Sequence, residues 1–146
     1  MKAALVIDAS VALKWVVDEP GTEEALDLRR GHALIAPELL VVECANVLWK
    51  KVQRRELTGD EAFIGARLLQ AADVEIVGTR SLMEKTTRMA VELSHPAYDC
   101  LYLALALERH CPFVTADGNL LRKLVGKSAR LRETVRPLRP APLTRV

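Results

Sequence analysis

The stretch ALVID at residues 4–8 begins the pattern that decides the fold class. It is a short, partly β-branched apolar run that ends at an acidic residue, which predicts a buried strand over Ala3–Ile7. Similar short apolar runs predict strands at Ala33–Ala36, Val74–Val77 and Pro112–Thr115. Longer amphipathic stretches separate these runs. Strands that alternate with helices predict a parallel sheet covered on both faces, which is a three-layer αβα architecture.

The helices between these strands have their own start and stop signals. Thr58–Glu61 and Ser81–Glu84 both have the spacing of a capping box, in which a hydroxyl and an acid three residues later satisfy the first helical N–H groups. Thr22 predicts a hydroxyl cap for another helix. The predicted helices are Ser10–Val17, Thr22–Arg30, Glu38–Arg55, Thr58–Ala72, Ser81–Leu93, Ala97–His110 and Asn119–Val125. An edge strand through Leu131–Val135 is a further expectation.

Length and composition indicate one globular domain. The chain has 146 residues, of which 50% are hydrophobic and 27% charged, so a disordered chain is excluded. The net charge of +2 is uneven, because residues 129–146 carry five arginines against one glutamate. Prolines at 137, 140 and 142 make this end unsuited to packed structure. We therefore predict a single domain over residues 1–137 and a Pro- and Arg-containing tail over residues 138–146.

Membrane, secretory and redox functions have no support in the sequence. The longest uncharged apolar run, Cys100–Leu107, has eight residues, whereas a membrane span needs about 20. Asp8 interrupts the apolar run near the amino terminus, so no secretory signal is predicted and we expect a cytoplasmic protein. The three cysteines show no C-x-x-C spacing and are predicted to be core residues.

Four acidic residues stand where the predicted fold gives them unusual surroundings. Asp8 directly follows the first strand, and Asp117 follows the strand at Pro112–Thr115 by two residues. Asp99 begins the preceding helix, and Glu43 lies on an apolar helix face. Ligand sites of open parallel sheets lie beyond the carboxyl ends of the strands. No lysine or arginine lies within one helical turn of Glu43 or Asp99 in the sequence.

The combination of these acids indicates a divalent-metal site. Each acid taken alone is more simply explained as a helix cap or surface group. Together they would repel one another by about 4 kcal/mol per pair at 4 Å and an effective dielectric of 20. Such a cluster persists by holding protons or a cation. Oxygen ligands favour Mg²⁺ or Mn²⁺, and no histidine or cysteine has zinc-ligand spacing to these acids.

Four sequence motifs carry a resemblance to a known family. They are VIDAS (residues 6–10), PELLVVECANVL (37–48), YDCLYLALA (98–106) and FVTADGNL (113–120). Together they resemble the four signatures of the PIN-domain ribonucleases, and most closely those of the VapC-like toxins of bacterial and archaeal toxin–antitoxin pairs. The resemblance runs in the right order from about Ala4 to Leu124. It implies a PIN-like fold.

The resemblance also implies a set of site residues. The acidic metal-binding pocket corresponds to Asp8, Glu43, Asp99 and Asp117, and Asp8 and Asp99 match the acids most directly tied to Mg²⁺ or Mn²⁺. Other pocket-lining positions correspond to Ser10, Asn46, Thr115 and Asn119. Many relatives have a bulkier residue and then an apolar one after the last acid, where this chain has Gly118 and Asn119.

The resemblance implies a metal-dependent endoribonuclease that hydrolyses RNA phosphodiester bonds as the toxin of a toxin–antitoxin pair. It further implies a homodimer and a cognate antitoxin partner. Glu43 and Asp117 are both candidates to accept the proton of the attacking water. A basic cluster at the end of the Glu43 helix is a candidate RNA contact, with a solvated helix end as the alternative: Lys50, Lys51, Arg54 and Arg55. We interpret His95 as a loop residue, with the alternative that its place before Pro96 brings it near Asp99.

Two other functional classes remain as alternatives. One is a phosphotransfer enzyme of haloacid-dehalogenase or receiver type, which also places an aspartate after its first strand; the former uses D-x-D, but the second position here is Ser10. The other is a catalytically silent PIN-like module that binds RNA or a protein partner. Such a module is expected to lack one of the four acids, and this chain has all of them.

Overall fold

The computed structural model describes residues 1–138 and contains a five-stranded parallel sheet. The strands are β1 (Ala4–Ile7), β2 (Ala33–Pro37), β3 (Val74–Val77), β4 (Phe113–Thr115) and β5 (Val135–Pro137). Their order across the sheet is β3-β2-β1-β4-β5, and every neighbouring pair is parallel. The predicted α/β class is therefore confirmed. Residues 139–146 of the predicted tail lie outside the described residues.

Helices cover both faces of this sheet. Within the described residues they are α1 (Ala9–Ala12), α2 (Thr22–Gly31), α3 (Leu39–Gln53), α4 (Gly59–Gln70), α5 (Met83–Leu93), α6 (Ala97–Glu108), α7 (Gly118–Val125) and α8 (Ala129–Thr134). Successive side chains of a strand point to opposite faces. Leu5 and Ile7 of β1 accordingly pack with α1–α4, whereas Val6 packs with α6–α8. No helix in residues 1–138 is long and apolar enough to cross a membrane.

The two predicted capping boxes have different outcomes. At Thr58 the box is confirmed, because the Glu61 N–H donates to Thr58 Oγ1 at 3.1 Å and the Thr58 N–H donates to Glu61 Oε1 at 2.9 Å. The box predicted at Ser81 is wrong. Ser81 lies inside a 3₁₀ turn, Arg80–Leu82, and α5 begins without a side-chain cap. Sequence spacing does not distinguish a capping residue from one that continues a helical turn.

Three other local predictions are corrected. The helix predicted over Ser10–Val17 is the short α1 followed by a 3₁₀ turn, Leu13–Trp15. The Thr22 hydroxyl does not cap α2; it donates to the Glu19 carbonyl at 2.8 Å and so ties down the preceding loop. The last strand begins at Val135, because the chain before it forms α8. Leu138, the first residue of the predicted tail, packs against the core.

The strand order places a crevice between β1 and β4. The chain adds β2 and β3 on one side of β1, then crosses back to add β4 and β5 on the other side. Connections leaving two adjacent strands in opposite directions open a crevice beyond their carboxyl ends, and ligands of open parallel sheets bind there. Asp8 follows β1 at this point, and Thr115 ends β4. The topology therefore directs attention to these two residues.

Candidate metal centre

Asp8 lies at the carboxyl end of β1, held by two hydroxyl groups. Ser10 Oγ donates to Asp8 Oδ1 at 2.5 Å, and Thr115 Oγ1 donates to Asp8 Oδ2 at 2.5 Å. The Val11 N–H also donates to Oδ1, at 3.3 Å, so Asp8 caps α1. The residue is only 8% exposed. Its carboxylate therefore joins the start of α1 to the end of β4 in one fixed orientation.

The same two hydroxyls also fix the loop after β4. Ser10 Oγ accepts a hydrogen bond from the Ala116 N–H at 2.9 Å. Thr115 Oγ1 accepts one from the Asp117 N–H at 3.1 Å. Each hydroxyl thus accepts from the backbone and donates to Asp8. The structure places the predicted pocket-lining residues Ser10 and Thr115 beside this acid.

Asp8 carries an electrostatic cost in the folded protein. Burial raises the pKa of Asp8 to about 6, because the charged form loses hydration. Hydrogen bonds from Ser10, Thr115 and the Val11 N–H lower this pKa, while the negative charge of Glu43 raises it. The net direction is upward, so the donors only partly offset burial. An ionised Asp8 is therefore a group that a cation would stabilise.

Glu43 lies on α3, close enough to Asp8 for their charges to interact. It is partly buried, and the Tyr102 hydroxyl of α6 donates to Glu43 Oε1 at 2.7 Å. Burial raises the pKa of Glu43, the hydrogen bond from Tyr102 lowers it, and the charge of Asp99 raises it. Glu43 thus lies close enough to both Asp8 and Asp99 for the negative charges to interact. These three predicted site residues form one acidic cluster.

Asp99 stands in the first turn of α6 and has a histidine partner. His95 Nε2 lies 2.7 Å from Asp99 Oδ2. The His95 side chain is 7% exposed, whereas that of Asp99 is 34% exposed. The predicted loop position of His95 is correct, because its backbone lies in the turn between α5 and α6. The proximity to Asp99 that its place before Pro96 left open is also present, and the histidine side chain is buried against the acidic cluster.

Asp117 behaves differently from the other three acids. Its Oδ1 accepts hydrogen bonds from the Asn119 N–H at 3.0 Å and the Leu120 N–H at 3.2 Å, so it caps α7. Asp117 is exposed to solvent. The Asn119 side chain accepts a hydrogen bond from Arg122. The structure thus links Asp117 to the cluster through its backbone N–H on Thr115, while its carboxylate serves the helix.

Replacing Asp117 separates its capping role from any role in metal binding. Asp117→Ala is expected to lower the free energy of unfolding by about 1 kcal/mol, because α7 loses its side-chain cap. Asp117→Asn keeps a capping oxygen and is expected to leave stability nearly unchanged. Urea unfolding followed by circular dichroism measures both. Equal losses in the two variants would contradict the capping role, and an affinity for Mn²⁺ that falls in Asp117→Asn would support its assignment as a ligand.

The donor chemistry of the cluster fits a hydrated divalent ion. Within residues 1–138, no three histidine, cysteine, aspartate or glutamate side chains form a group arranged to hold a metal ion directly. In that part of the chain no lysine or arginine forms an ion pair with Asp8, Glu43 or Asp99. Mg²⁺ commonly keeps several waters and uses one or two carboxylates. Burial raises the pKa of the neighbouring Cys44 thiol to about 12, which disfavours a thiolate ligand.

Not every residue of the predicted RNA-contacting cluster is available to a ligand, because Lys51 is engaged in ion pairs. Lys51 Nζ lies 3.6 Å from Glu19 Oε2 and 3.4 Å from Glu56 Oε2, and its side chain is 17% exposed. The other three members are exposed: Lys50, Arg54 and Arg55. Lys50 is seven residues beyond Glu43, about 10 Å along α3. Asn46, one turn after Glu43, is exposed too.

Sequence reasoning missed Tyr102 as part of the site. The residue is 1% exposed and belongs to the core on the α6 side of the sheet. Its position three residues after Asp99 on a helix was the available signal, since residues three apart share one helical face. Its partner Glu43 is 59 residues away in the chain, so only the tertiary fold reveals the contact.

Comparison with known proteins identifies the family. The PIN domain family matches residues 5–125, and the chain belongs to it. A relative in Mycobacterium bovis, named VapC ribonuclease Mb0985, is 33% identical over 119 residues, covering 80% of this chain and 87% of the relative. Ribonuclease VapC9 of Mycobacterium tuberculosis matches equally well.

Solved structures show the same fold. The crystal structure of PAE2754 from Pyrobaculum aerophilum has a TM-score of 0.64 at 22% identity, covering 83% of this chain and 79% of that one. The crystal structure of Mycobacterium tuberculosis VapC20, a sarcin-ricin loop cleaving toxin, has a TM-score of 0.60 at 15% identity, covering 79% of this chain and 91% of that one. These similarities confirm the predicted PIN-like fold.

Proposed function

We propose that this chain is a divalent-metal-dependent endoribonuclease that hydrolyses RNA phosphodiester bonds and acts as the toxin of a toxin–antitoxin pair. The observation that carries the proposal is the coupling of Asp8, Glu43 and Asp99 at the sheet crevice without a lysine or arginine partner among the described residues. Membership of the PIN family and relatives named VapC ribonucleases support the same activity. The proposed cofactor is Mg²⁺ or Mn²⁺.

The chain's own residues have distinct roles in this proposal. Asp8, fixed by its two hydroxyl donors, and Asp99 would hold the cation, with Glu43 completing the acidic cluster. When bound, a divalent cation supplies positive charge that stabilises the phosphodiester oxygens as charge develops on them. Glu43 is the proposed acceptor of the water's proton, because burial raises its pKa towards the range suited to a general base. Asp117 is the weaker candidate because its Oδ1 caps α7.

A protein partner is part of the proposal. A groove of about 360 Å³ lies between α3, α4 and β3, and its lining is largely apolar, including Trp15, Val41, Leu69 and Ile76. Val41 is 60% exposed and lies on the helix that also carries Glu43. We propose that a cognate antitoxin binds there and extends across the acids. A homodimer is also proposed, supported by two exposed apolar side chains on α5, Met83 and Val91.

A silent binding module is the second candidate function. It is favoured by the absence, within residues 1–138, of three side chains already arranged to hold an ion. The two candidates differ in one measurable respect. The enzyme needs a divalent ion to break RNA, whereas the module would retain RNA or a protein without cleaving either.

The direct test is metal-dependent cleavage of RNA by the purified chain. Bulk cellular RNA incubated with Mg²⁺ or Mn²⁺ is expected to give discrete fragments, because a sequence-selective nuclease cuts at defined sites. Gel electrophoresis and sequencing of fragment ends measure this. Excess EDTA should abolish cleavage and added Mn²⁺ should restore it. Cleavage that persists in EDTA would contradict metal dependence, and RNA retained intact would support the binding module.

A further inference from the structure

We propose that Tyr102 and His95 are positioning residues that orient Glu43 and Asp99 before a cation binds. This inference rests on the proposed metal-dependent function. Each residue contributes one hydrogen bond to one oxygen of an acid: Tyr102 to Glu43 Oε1 and His95 to Asp99 Oδ2. Within residues 1–138, no hydrogen bond is made to the other oxygens, Glu43 Oε2 and Asp99 Oδ1. Each acid is therefore held at one oxygen and has the other available to a ligand.

Tyr102 is itself rigidly placed. The residue is 1% exposed, and its ring stacks on Phe113 of β4 with centroids 5.6 Å apart and planes 15° from parallel. Its hydroxyl therefore has little freedom to move. Glu43 has a longer side chain with several rotatable bonds, so a fixed donor at 2.7 Å selects one of its conformers. Tyr102 thus sets where the Glu43 carboxylate lies.

His95 is fixed by the turn between α5 and α6. Ser94 has a φ of 49° and ends α5, and the His95 N–H donates to the Ala90 carbonyl at 3.1 Å. Because an ionised carboxylate only accepts hydrogen bonds, we assign the donor role in this contact to His95 Nε2. The 7% exposure of the histidine side chain shields this hydrogen bond from competition with water. The donor is thus in place before any ligand arrives.

Packing alone does not explain these polar groups. The core around Tyr102 is apolar and needs an aromatic ring there, but not a hydroxyl. Within the described residues, the hydroxyl has Glu43 as its hydrogen-bond partner. Tyr98, on the same helix, is 67% exposed and provides a matched comparison. The two donors reach the two partly exposed members of the cluster, while Asp8 is fixed separately by Ser10 and Thr115.

Calorimetric titration of the full-length chain with Mn²⁺ tests this inference. Tyr102→Phe and His95→Ala are each expected to weaken Mn²⁺ binding by about 10–100-fold, the range typical of groups that orient metal ligands. His95→Gln can place an amide donor close to the position of Nε2 and is expected to recover much of the affinity. Tyr98→Phe should bind Mn²⁺ like the wild type. Melting curves in EDTA establish that each variant is folded.

The outcomes distinguish this inference from the function on which it rests. Wild-type Mn²⁺ affinity in Tyr102→Phe and in His95→Ala would overturn the positioning roles while leaving the proposed nuclease intact. Equal weakening in His95→Ala and His95→Gln would overturn the role of the His95 donor. If the wild type takes up no Mn²⁺, the proposed function fails and the positioning roles fail with it. Should Tyr102→Phe not fold, the two His95 variants still decide the matter.

Discussion

Replacing Asp8 or Asp99 by asparagine is expected to lower metal-dependent RNA cleavage by more than about 100-fold, since loss even of groups that orient metal ligands costs 10–100-fold. Asparagine has nearly the shape of aspartate but lacks its charge. At position 8 it retains an oxygen that accepts from Ser10 and the Val11 N–H. The fold should survive while the attraction for a cation is lost. Gel assays of RNA cleavage at saturating Mn²⁺ measure the effect.

A matched control separates this effect from a general change of charge. Asp73 is an exposed aspartate before β3, so Asp73→Asn changes the net charge equally and should leave cleavage unchanged. Circular dichroism spectra of all variants should coincide. An Asp8→Asn, Asp99→Asn double variant that cleaves RNA at the wild-type rate would end the enzyme hypothesis. Equal losses in Asp73→Asn would instead indicate a non-specific charge effect.

The sequence predicts this fold well where local pattern and topology agree. ALVI followed by Asp8 indicates a buried strand with a site at its end, because a short, partly β-branched apolar run is typical of a buried strand. The rule that sites lie beyond strand carboxyl ends then selects Asp8 and the segment after the Pro112–Thr115 strand as site candidates. The observed strand order makes β1 and β4 neighbours, which the sequence did not predict. Ser10 and Thr115 come together with Asp8 for the same reason.

The remaining features depend on contacts that no local pattern encodes. Glu43 meets Tyr102 because α3 and α6 come together in the tertiary fold, a contact that joins residues 59 apart. Asp117 has the predicted position, but two free N–H groups at the start of α7 lie within reach of its carboxylate. Ser81 has the spacing of a cap, yet it continues a 3₁₀ turn. The spacing of residues in the sequence predicts where a side chain lies on its own helix or strand. Its contact partner depends on how distant segments pack.

Asp8 illustrates a conflict between folding and function. A buried carboxylate whose pKa is raised destabilises the folded chain at neutral pH, although three hydrogen bonds reduce the effect. A hydrophobic or neutral residue at the end of β1 would avoid this cost. Groups that break the rules of stable packing in this way are concentrated at functional sites. The conflict makes the stability of the metal-free protein a direct probe of the site.

Asp8→Asn is expected to stabilise the metal-free protein at pH 8 and to lose this advantage as the pH falls. The pKa of Asp8 rises from 3.8 to about 6 on folding, so the folded state holds the proton more tightly. Stability from this group is therefore full below pH 3.8 and is lost as the pH rises through 6. A shift of this size corresponds to about 3 kcal/mol at most. Asparagine does not titrate, so the variant escapes this loss.

Urea unfolding in EDTA at several pH values between 4 and 8 measures this difference. The free energy of unfolding of Asp8→Asn should exceed that of the wild type most at pH 8 and converge with it near pH 4. Saturating Mn²⁺ at pH 8 should stabilise the wild type more than the variant, because an ion that binds only the folded state raises its stability. A variant less stable than the wild type at pH 8 in EDTA would show that the ionised Asp8 stabilises the fold through its cap and hydroxyl contacts. A difference in the free energy of unfolding that does not change with pH would show that the pKa of Asp8 is the same in the folded and unfolded states.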